Sequence, residues 1–269
     1  MGQYRFFPLV LVFMSSVSLA DIYWQPVESL KGSGGHGHSR MAKAFQLMGL
    51  KDGTDTSVSY IHSDLESSDL SLHGDSVHLK PTGKNNYHAL VARQVQDNKH
   101  RLAVRYIYNN GRPVNTSPSD LLALNLGGLQ IIPSPLPREH WKYKSKSLYR
   151  FQVTFEGKPL AEHGLLATTR FGSNEILHTD QSGFIELVIP EDFPEITPKK
   201  RATPPGEMQL FSAYSRDGQE YEASMTAAYH PSESSWKSVS LGALVVLIGI
   251  VFGFFINRKL PEHNRRKAK

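Results

Sequence analysis

The sequence contains no cysteine among its 269 residues. This absence excludes disulfide bonds, thiolate metal sites and cysteine nucleophiles, so any domain in the chain must be held together by the burial of side chains. The sequence also lacks a Gly-x-Ser-x-Gly nucleophile elbow, a His-Glu-x-x-His zinc motif and a P-loop. Because none of these arrangements is present, the sequence predicts that the protein is not an enzyme.

The formal net charge is +5, but the positive charge lies at the two ends of the chain and the rest has no excess of it. The tail after Ile256 carries six Lys or Arg and one Glu, a net charge of +5, and Arg5 adds one more positive charge. The remaining residues therefore have a net charge of −1. A basic surface of the kind that binds phosphate backbones is not expected, and the sequence predicts no nucleic-acid partner.

The first twenty residues have the three parts of a secretory signal. Arg5 precedes a short apolar run from Phe6 to Met14, and Ser18-Leu19-Ala20 provides a small-residue cleavage site. The apolar run is shorter than the roughly 20 residues that cross a bilayer. We expect residues 1–20 to be a signal peptide and the mature chain to begin at Asp21.

A second apolar run, from Val239 to Ile256, contains no charged residue. At about 1.5 Å per residue, a helix of this length approaches the roughly 30 Å thickness of the hydrocarbon core of a bilayer. We expect residues 237–257 to form a transmembrane helix in contact with lipid and residues 258–269 to form a basic tail. Basic residues beside a membrane segment stay in the cytoplasm. The tail therefore predicts a cytoplasmic C-terminus, because it contains Arg258, Lys259, Arg265 and Arg266.

These two segments together predict a single-pass protein of the bacterial inner membrane with most of its chain in the periplasm. The part between them alternates apolar and polar residues with a period of two, interrupted by turn sequences such as Asn109-Asn110-Gly111. A short helix is expected after Ser39, because the apolar residues up to Met48 recur at helical spacing. The fold class predicted is mainly β, with two antiparallel β-sandwich domains of the immunoglobulin-like type and one C-terminal transmembrane helix.

The prolines at positions 133, 135 and 137 indicate a stiff linker between the two domains. We therefore expect an N-terminal β-rich domain at 21–135, which includes a Gly/His-rich loop, and an immunoglobulin-like sandwich at 136–236.

Three segments of the sequence resemble a known family. They are Gln130–Pro133, Tyr149–Leu160 with its Gly-Lys-Pro-Leu turn, and Thr179–Phe184 with its Thr-Asp-x-x-Gly turn. Together they resemble the periplasmic immunoglobulin-like family that is often labelled as a nickel or cobalt uptake component. The same strand and turn motifs occur in carboxypeptidase-regulatory-like and transthyretin-like domains. The family's mature chain commonly begins with a histidine, whereas Asp21 occupies that place here.

The twelve histidines are the main chemical resource of the sequence. His36 and His38 are separated by one glycine in a flexible segment, where two imidazoles can bind Ni²⁺, Co²⁺, Cu²⁺ or Zn²⁺. His62, His73, His78 and His88 follow in the first domain and could converge on such a site. The sequence predicts a metal site drawn from His36, His38, His73, His78 and His88, with exposed polar histidines and no cofactor as the alternative.

Two functions from different classes follow from these observations. The first is a membrane-anchored periplasmic accessory protein that binds or delivers a divalent transition metal, or assists a transporter permease that does. The second is an immunoglobulin-like structural or protein-binding module of the cell envelope, which binds another envelope protein and no metal.

Overall fold

The structure is a computed structural model that describes residues 22–27, 43–51, 54–138, 142–197, 203–235 and 239–259. Within these ranges the chain is mainly β, as the sequence predicted. The first strands are β1 (Tyr23–Pro26), β2 (Lys43–Met48), β3 (Asp55–Ile61), β4 (Ser67–Leu70), β5 (Ser76–Leu79), β6 (Asn86–Gln96) and β7 (Lys99–Asn109). Helix α1 (Pro118–Leu122) is followed by β8 (Leu129–Pro133), β9 (Tyr143–Lys144), β10 (Leu148–Phe155), β11 (Lys158–Pro159), β12 (Gly164–Thr169), β13 (Asn174–His178), β14 (Phe184–Val188), β15 (Gly206–Arg216) and β16 (Gln219–His230). A short 3₁₀ turn (Glu233–Ser235) and helix α2 (Val239–Lys259) end the described chain.

The first sandwich packs the three-stranded sheet β1-β2-β5 against the four strands β4-β3-β6-β7. Inward side chains alternate along each strand, and Trp24, Leu47 and Leu90 are each no more than 1% exposed. The Trp24 indole Nε1 also donates to the Ala103 carbonyl at 3.2 Å, which ties β1 to β7 across the core. Three strands facing four in this order is the arrangement of an immunoglobulin-like sandwich.

The second sandwich repeats this arrangement with different residues. Strands β8, β10 and β14 form one sheet, which β11 extends beside β10, and they face the four strands β13-β12-β15-β16. The short strand β9, which lies between β8 and β10 in the chain, pairs in parallel with the end of β16. Phe151, Leu210 and Tyr229 lie at the centre of the core, and each is 0% exposed.

The last strands of the two sandwiches, β7 and β16, pair in parallel and fuse their four-stranded sheets into one sheet of nine described strands. In this register Val104 lies beside Met225, although Val104 faces away from the first core whereas Met225 faces into the second. The two three-stranded sheets therefore cover opposite faces of the continuous sheet.

The outer face of the first four-stranded sheet is covered by α1 and by the segments that precede and follow β8. Leu121 and Leu136 pack there against Val91 and Val104. Helix α1 is fixed by a capping box, in which Ser117 Oγ accepts from the Asp120 N–H and the Asp120 carboxylate accepts from the Ser117 N–H. Strand β6 is consequently buried on both faces, which explains its nearly continuous apolar sequence.

The helix predicted after Ser39 is wrong where the structure describes it, because Lys43–Met48 is strand β2. Phe45 and Leu47 point into the core, and the strand is hydrogen-bonded on both sides, to β1 and to β5. A segment of six residues is too short for apolar spacing to separate helix from strand, so tertiary pairing decides its conformation.

The predicted division at 135/136 passes between β8 and the strand with which it pairs. Leu129 and Ile131 of β8 belong to the core of the second sandwich, although they precede the predicted boundary. The nine-stranded sheet also contains strands from both sides of this boundary. The domain division itself stays a prediction.

Helix α2 has 21 residues, and its described side chains, from Leu244 to Ile256, are exposed. Among the residues that the structure describes, no helix is long and apolar enough to cross a membrane. The transmembrane helix predicted at 237–257 therefore stays a prediction. The signal peptide, Arg265 and Arg266 lie outside the described residues, as do the side chains of Arg258 and Lys259.

Candidate functional site

The predicted metal ligands that lie within the described residues, His73, His78 and His88, do not come together. His36 and His38 lie outside the described residues. His73 is exposed just before β5, and His78 is exposed on β5, in the smaller sheet of the first sandwich. His88 is 0% exposed in the core beneath the opposite sheet. Within the described ranges, no group of three or more His, Asp or Glu side chains is placed to hold a metal ion.

Both ring nitrogens of His88 already have hydrogen-bond partners. Nδ1 lies 3.1 Å from the carbonyl of Asn86, so it must carry the proton, while Nε2 lies 3.1 Å from Thr82 Oγ1 and accepts from it. The pKa of His88 is lowered to about 4, mainly by burial, with the neighbouring His62 acting in the same direction. A metal ion could bind His88 only by displacing one of these partners, so the geometry favours a structural role.

His62 lies beside His88, and the two are the predicted histidines that the fold places in contact. Their ring centroids are 5.8 Å apart, and the Tyr60 ring packs against both, at 5.0 Å from His62 and 5.3 Å from His88. His62 Nε2 lies 3.2 Å from Ser68 Oγ, whereas the buried Nδ1 has no hydrogen-bond partner among the described residues. Burial lowers the pKa of His62, and the Lys84 charge acts in the same direction.

A cavity of about 240 Å³ opens beside this aromatic cluster, at the end of the first sandwich where β2 begins and β7 ends. Lys43 Nζ donates to the Tyr108 carbonyl at 2.7 Å and to Asn109 Oδ1 at 2.9 Å. The same Asn109 side chain donates from Nδ2 to the Tyr60 hydroxyl at 2.8 Å. The Asn109 amide therefore positions both the Lys43 ammonium group and the Tyr60 hydroxyl at the cavity wall.

The two turns that carry the family resemblance contact each other, and their residues have structural partners. Thr179 Oγ1 donates to the Leu160 carbonyl at 2.6 Å and accepts from the His163 N–H at 2.8 Å. Asp180 Oδ1 accepts from the backbone of its own turn, and Gly183 adopts a φ of +75° that allows the chain to return to β14. These motifs are explained by the fold, and none of their contacts indicates a ligand.

The acidic pair after β14, Glu191 and Asp192, has a structural role that no local pattern in the sequence indicates. Asp192 accepts a hydrogen bond from the buried Tyr229 hydroxyl at 2.5 Å and another from Thr169. Glu191 pairs with Lys146 at 2.9 Å and accepts from Ser235. Hydrogen bonds to these side chains keep both carboxyl pKa values below their usual range, despite the opposing effect of burial.

A second cavity, of about 190 Å³, lies between the edge strands β13 and β14 of the second sandwich. Its floor consists of core side chains that include Leu187, Met208 and Leu210, and its rim includes Asn174 and Glu175. Among the described strands, β13 pairs only with β12 and β14 pairs only with β10. The cavity is thus an apolar opening bordered by two strand edges whose outer backbone groups have no strand partner in the described chain.

Neither cavity could have been found from the sequence. Lys43, Tyr60 and Asn109 are far apart in the chain, and no local spacing relates them. The cleft between β13 and β14 depends on which strands end each sheet, and that is decided by pairing over long distances in the sequence.

No family model matches the chain, and no curated protein matches it. Similar solved structures include a Ca²⁺-stabilised adhesin that helps an Antarctic bacterium bind ice, at TM-score 0.24 and 11% identity over 71% of this chain and 43% of that one. A two-domain fibronectin type III segment of chicken tenascin has TM-score 0.22 and 9% identity, with 70% and 92% of the chains covered. The D00–D0 domain of intimin has TM-score 0.22 and 14% identity, with 71% and 93% covered. This chain spans less than half of the adhesin chain, and at these TM-scores none of the three likenesses bears on its function.

Proposed function

We propose that this protein is a membrane-tethered module of the bacterial cell envelope that binds another envelope protein through an exposed strand edge. The observation that carries the proposal is the apolar cleft between β13 and β14. The metal-delivery hypothesis has no comparable support among the described residues, since His73, His78 and His88 lie apart. It now depends on His36 and His38.

Strand edges bind extended segments because their free N–H and C=O groups continue the ladder of hydrogen bonds. The hydrogen bonds of the β12–β13 hairpin show which groups are free. Thr169 N–H donates to the Ser173 carbonyl at one end, and Thr179 N–H donates to the His163 carbonyl at the other. Because the bonding alternates along antiparallel strands, the N–H groups of Asn174, Ile176 and His178 point away from β12.

The apolar floor of the cleft provides a place for the side chains of such a segment. A bound strand beside β13 would direct every second side chain toward Leu187, Met208 and Leu210. Ile176 and Val188, which are 60% and 54% exposed on the two edge strands, add apolar contact area. The partner we propose is therefore an extended segment with alternating apolar residues.

The tether and the compartment are part of the same proposal. The apolar run from Val239 to Ile256, the basic residues after it and the signal-like segment at 1–20 support an inner-membrane anchor with the two sandwiches in the periplasm. A module that is held at the membrane meets its partner at a high effective concentration, so a weak strand interface suffices.

The test is site-specific photo-crosslinking of the full chain in its own membranes. A crosslinking residue at Val188 should give one discrete adduct with another protein, whereas one at Asp217, on the turn between β15 and β16, should give none. The backbone variant Ile176→Pro removes an outward N–H without removing a hairpin hydrogen bond, so it should abolish the adduct. Ile176→Thr keeps that N–H and should retain the adduct. No adduct at Val188, or an adduct unaffected by Ile176→Pro, would overturn the proposal.

A further inference from the structure

The cavity at the end of the first sandwich has a wall of one charge. Two lysines, Lys43 and Lys80, line it and no carboxylate does; the other lining residues are Tyr60, Leu79, Pro81, Thr82, Gly83, Tyr108, Asn109 and Asn110. Since surface lysines in proteins are commonly balanced by nearby carboxylates, a concave wall with two ammonium groups has a positive potential that attracts anions.

Lys43 has unused hydrogen-bonding capacity at this wall. Its ammonium group has three N–H donors, and the two bonds that it makes go to neutral oxygens, on Tyr108 and Asn109. Among the described residues, neither Lys43 nor Lys80 forms an ion pair with a carboxylate. Desolvation lowers the pKa of Lys43, and the Arg105 charge lowers it further, so an anion bound here would relieve an unfavourable accumulation of positive charge.

Tyr60 offers a second donor beside Lys43. Its hydroxyl oxygen accepts from Asn109 Nδ2, and no described residue accepts the hydroxyl hydrogen. The side chain is 3% exposed, and its ring is stacked on His88 with an interplanar angle of 16°. The hydroxyl is therefore held in a fixed direction before any ligand binds, which lowers the entropic cost of binding.

The geometry points to a binding site for the carboxylate or phosphate group of a small organic anion, which would lie against Lys43, Tyr60 and Lys80. Charge-assisted hydrogen bonds from ammonium and phenol groups to anionic oxygens are the strong contacts in such a site. The cavity, at about 240 Å³, is smaller than the roughly 300–1,000 Å³ that is usual for drug-sized ligands. The site is distinct from the strand edge of the proposed function, and neither depends on the other.

Competitive labelling of lysines in the wild-type full chain tests this site without any risk of misfolding. Labelling at each lysine is read by mass spectrometry with inorganic phosphate, with acetate, and with chloride at matched ionic strength. Phosphate or acetate at about ten times its Kd should slow labelling of Lys43 about tenfold relative to chloride. The exposed Lys158 on β11 is the internal control and should be unaffected. Protection by phosphate alone identifies a phosphate site, and protection by acetate alone identifies a carboxylate site. Equal labelling of Lys43 under all three conditions would overturn the inference.

Variants separate a specific site from general attraction to a basic surface. Tyr60→Phe removes one donor and keeps the ring, and Lys80→Met removes one charge and keeps the stem. Each should raise the Kd of the protecting anion about tenfold, the loss expected for one charge-assisted hydrogen bond. Lys158→Met removes the same charge outside the cavity and should leave the Kd unchanged. If the anion protects Lys43 equally well in Tyr60→Phe and Lys80→Met, the assignment of the site is wrong.

Discussion

Arg105 on β7 forms a two-pronged ion pair with Glu207 on β15, so a residue of the first sandwich is bonded to a residue of the second. Nη1 lies 2.7 Å from Oε2 and Nη2 lies 3.1 Å from Oε1. The Arg105 guanidinium also packs 5.1 Å from the centre of the Phe45 ring and donates to Thr226 Oγ1 at 3.2 Å. Because Arg105 is only 6% exposed, this pair should hold the two sandwiches together far more strongly than an exposed ion pair could.

Glu207→Gln should lower the free energy of unfolding by about 2 kcal/mol, because it leaves a buried guanidinium with a neutral partner. The matched control is Glu220→Gln, which removes the charge from an exposed pair with Lys99 and should cost less than about 1 kcal/mol. Urea unfolding of the full chain in detergent measures both values. Equal costs for the two variants would show that the Arg105–Glu207 pair has no special role.

Gly183→Ala should be much more destabilising than Gly218→Ala, although both glycines have nearly the same φ, +75° and +76°. A Cβ at position 183 would lie 2.8 Å from the Pro159 Cβ and 2.9 Å from the Val153 carbonyl oxygen, whereas one at 218 would meet nothing within 4 Å. The left-handed conformation alone costs about 1–2 kcal/mol in each variant. The overlap should add a further 1–3 kcal/mol, roughly, at position 183.

Thermal and urea unfolding of the two glycine variants provide the comparison, and Gly218→Ala is the control for strain without crowding. A similar loss of stability in both would mean that the turns at 156–159 and 180–183 do not pack as closely as described.

His88 should make the protein less stable in mild acid. Its pKa in the folded state is about 4, below the ordinary value of 6.5. Between these pH values the histidine binds a proton in the unfolded chain but not in the folded chain. The free energy of unfolding should therefore fall as the pH drops from 6.5 toward 4, and His88 should account for a loss of about 2 kcal/mol at pH 5 relative to pH 7. Above about pH 7.5 this residue should contribute almost no pH dependence.

The measurement is urea unfolding of wild type and His88→Gln at pH 7 and pH 5. His88→Gln should lose less stability than wild type over this interval, even if it is less stable at pH 7. The same comparison between pH 7 and pH 8 should show no difference between the two slopes. If the variant keeps the full acid sensitivity of wild type, His88 is not the responsible group.

Any affinity of the chain for Ni²⁺ should depend on His36 and His38 and be independent of His73 and His78, because the latter belong to no group of three or more ligands among the described residues. Equilibrium titration of wild type, of the pair His36→Ala and His38→Ala, and of the pair His73→Ala and His78→Ala tests this. Binding that is lost only in the second pair would contradict the geometry of the first sandwich. Binding that is unchanged in both pairs would remove the predicted metal site entirely.

Local patterns in the sequence were sufficient for many of the strands. The period-two alternation of apolar and polar residues predicted a chain that is mainly β, and the turn sequence Asn109-Asn110-Gly111 lies where β7 ends. These predictions succeed because period-two burial and left-handed turn residues depend on near neighbours in the chain. The segment Lys43–Met48 shows the limit of this reasoning, since its conformation is set by β1 and β5.

The candidate sites were beyond the reach of sequence patterns. His62 and His88 are in contact, whereas His73 and His78 lie at the smaller sheet and do not join them. The contact between Lys43 and Asn109 joins residues 66 positions apart, and no periodicity connects two such positions.

The sequence by itself determined that this chain folds without disulfide bonds and that it is mainly β, since these properties depend on composition and on neighbouring residues. The tertiary structure alone decided that β7 and β16 pair in parallel, that the two sandwiches cover opposite faces of one sheet, and that Lys43 and Tyr60 share a cavity. Backbone hydrogen bonds between strands are the same for every sequence, so the choice of partner strand depends on how whole cores pack. A single stretch of residues does not contain that information.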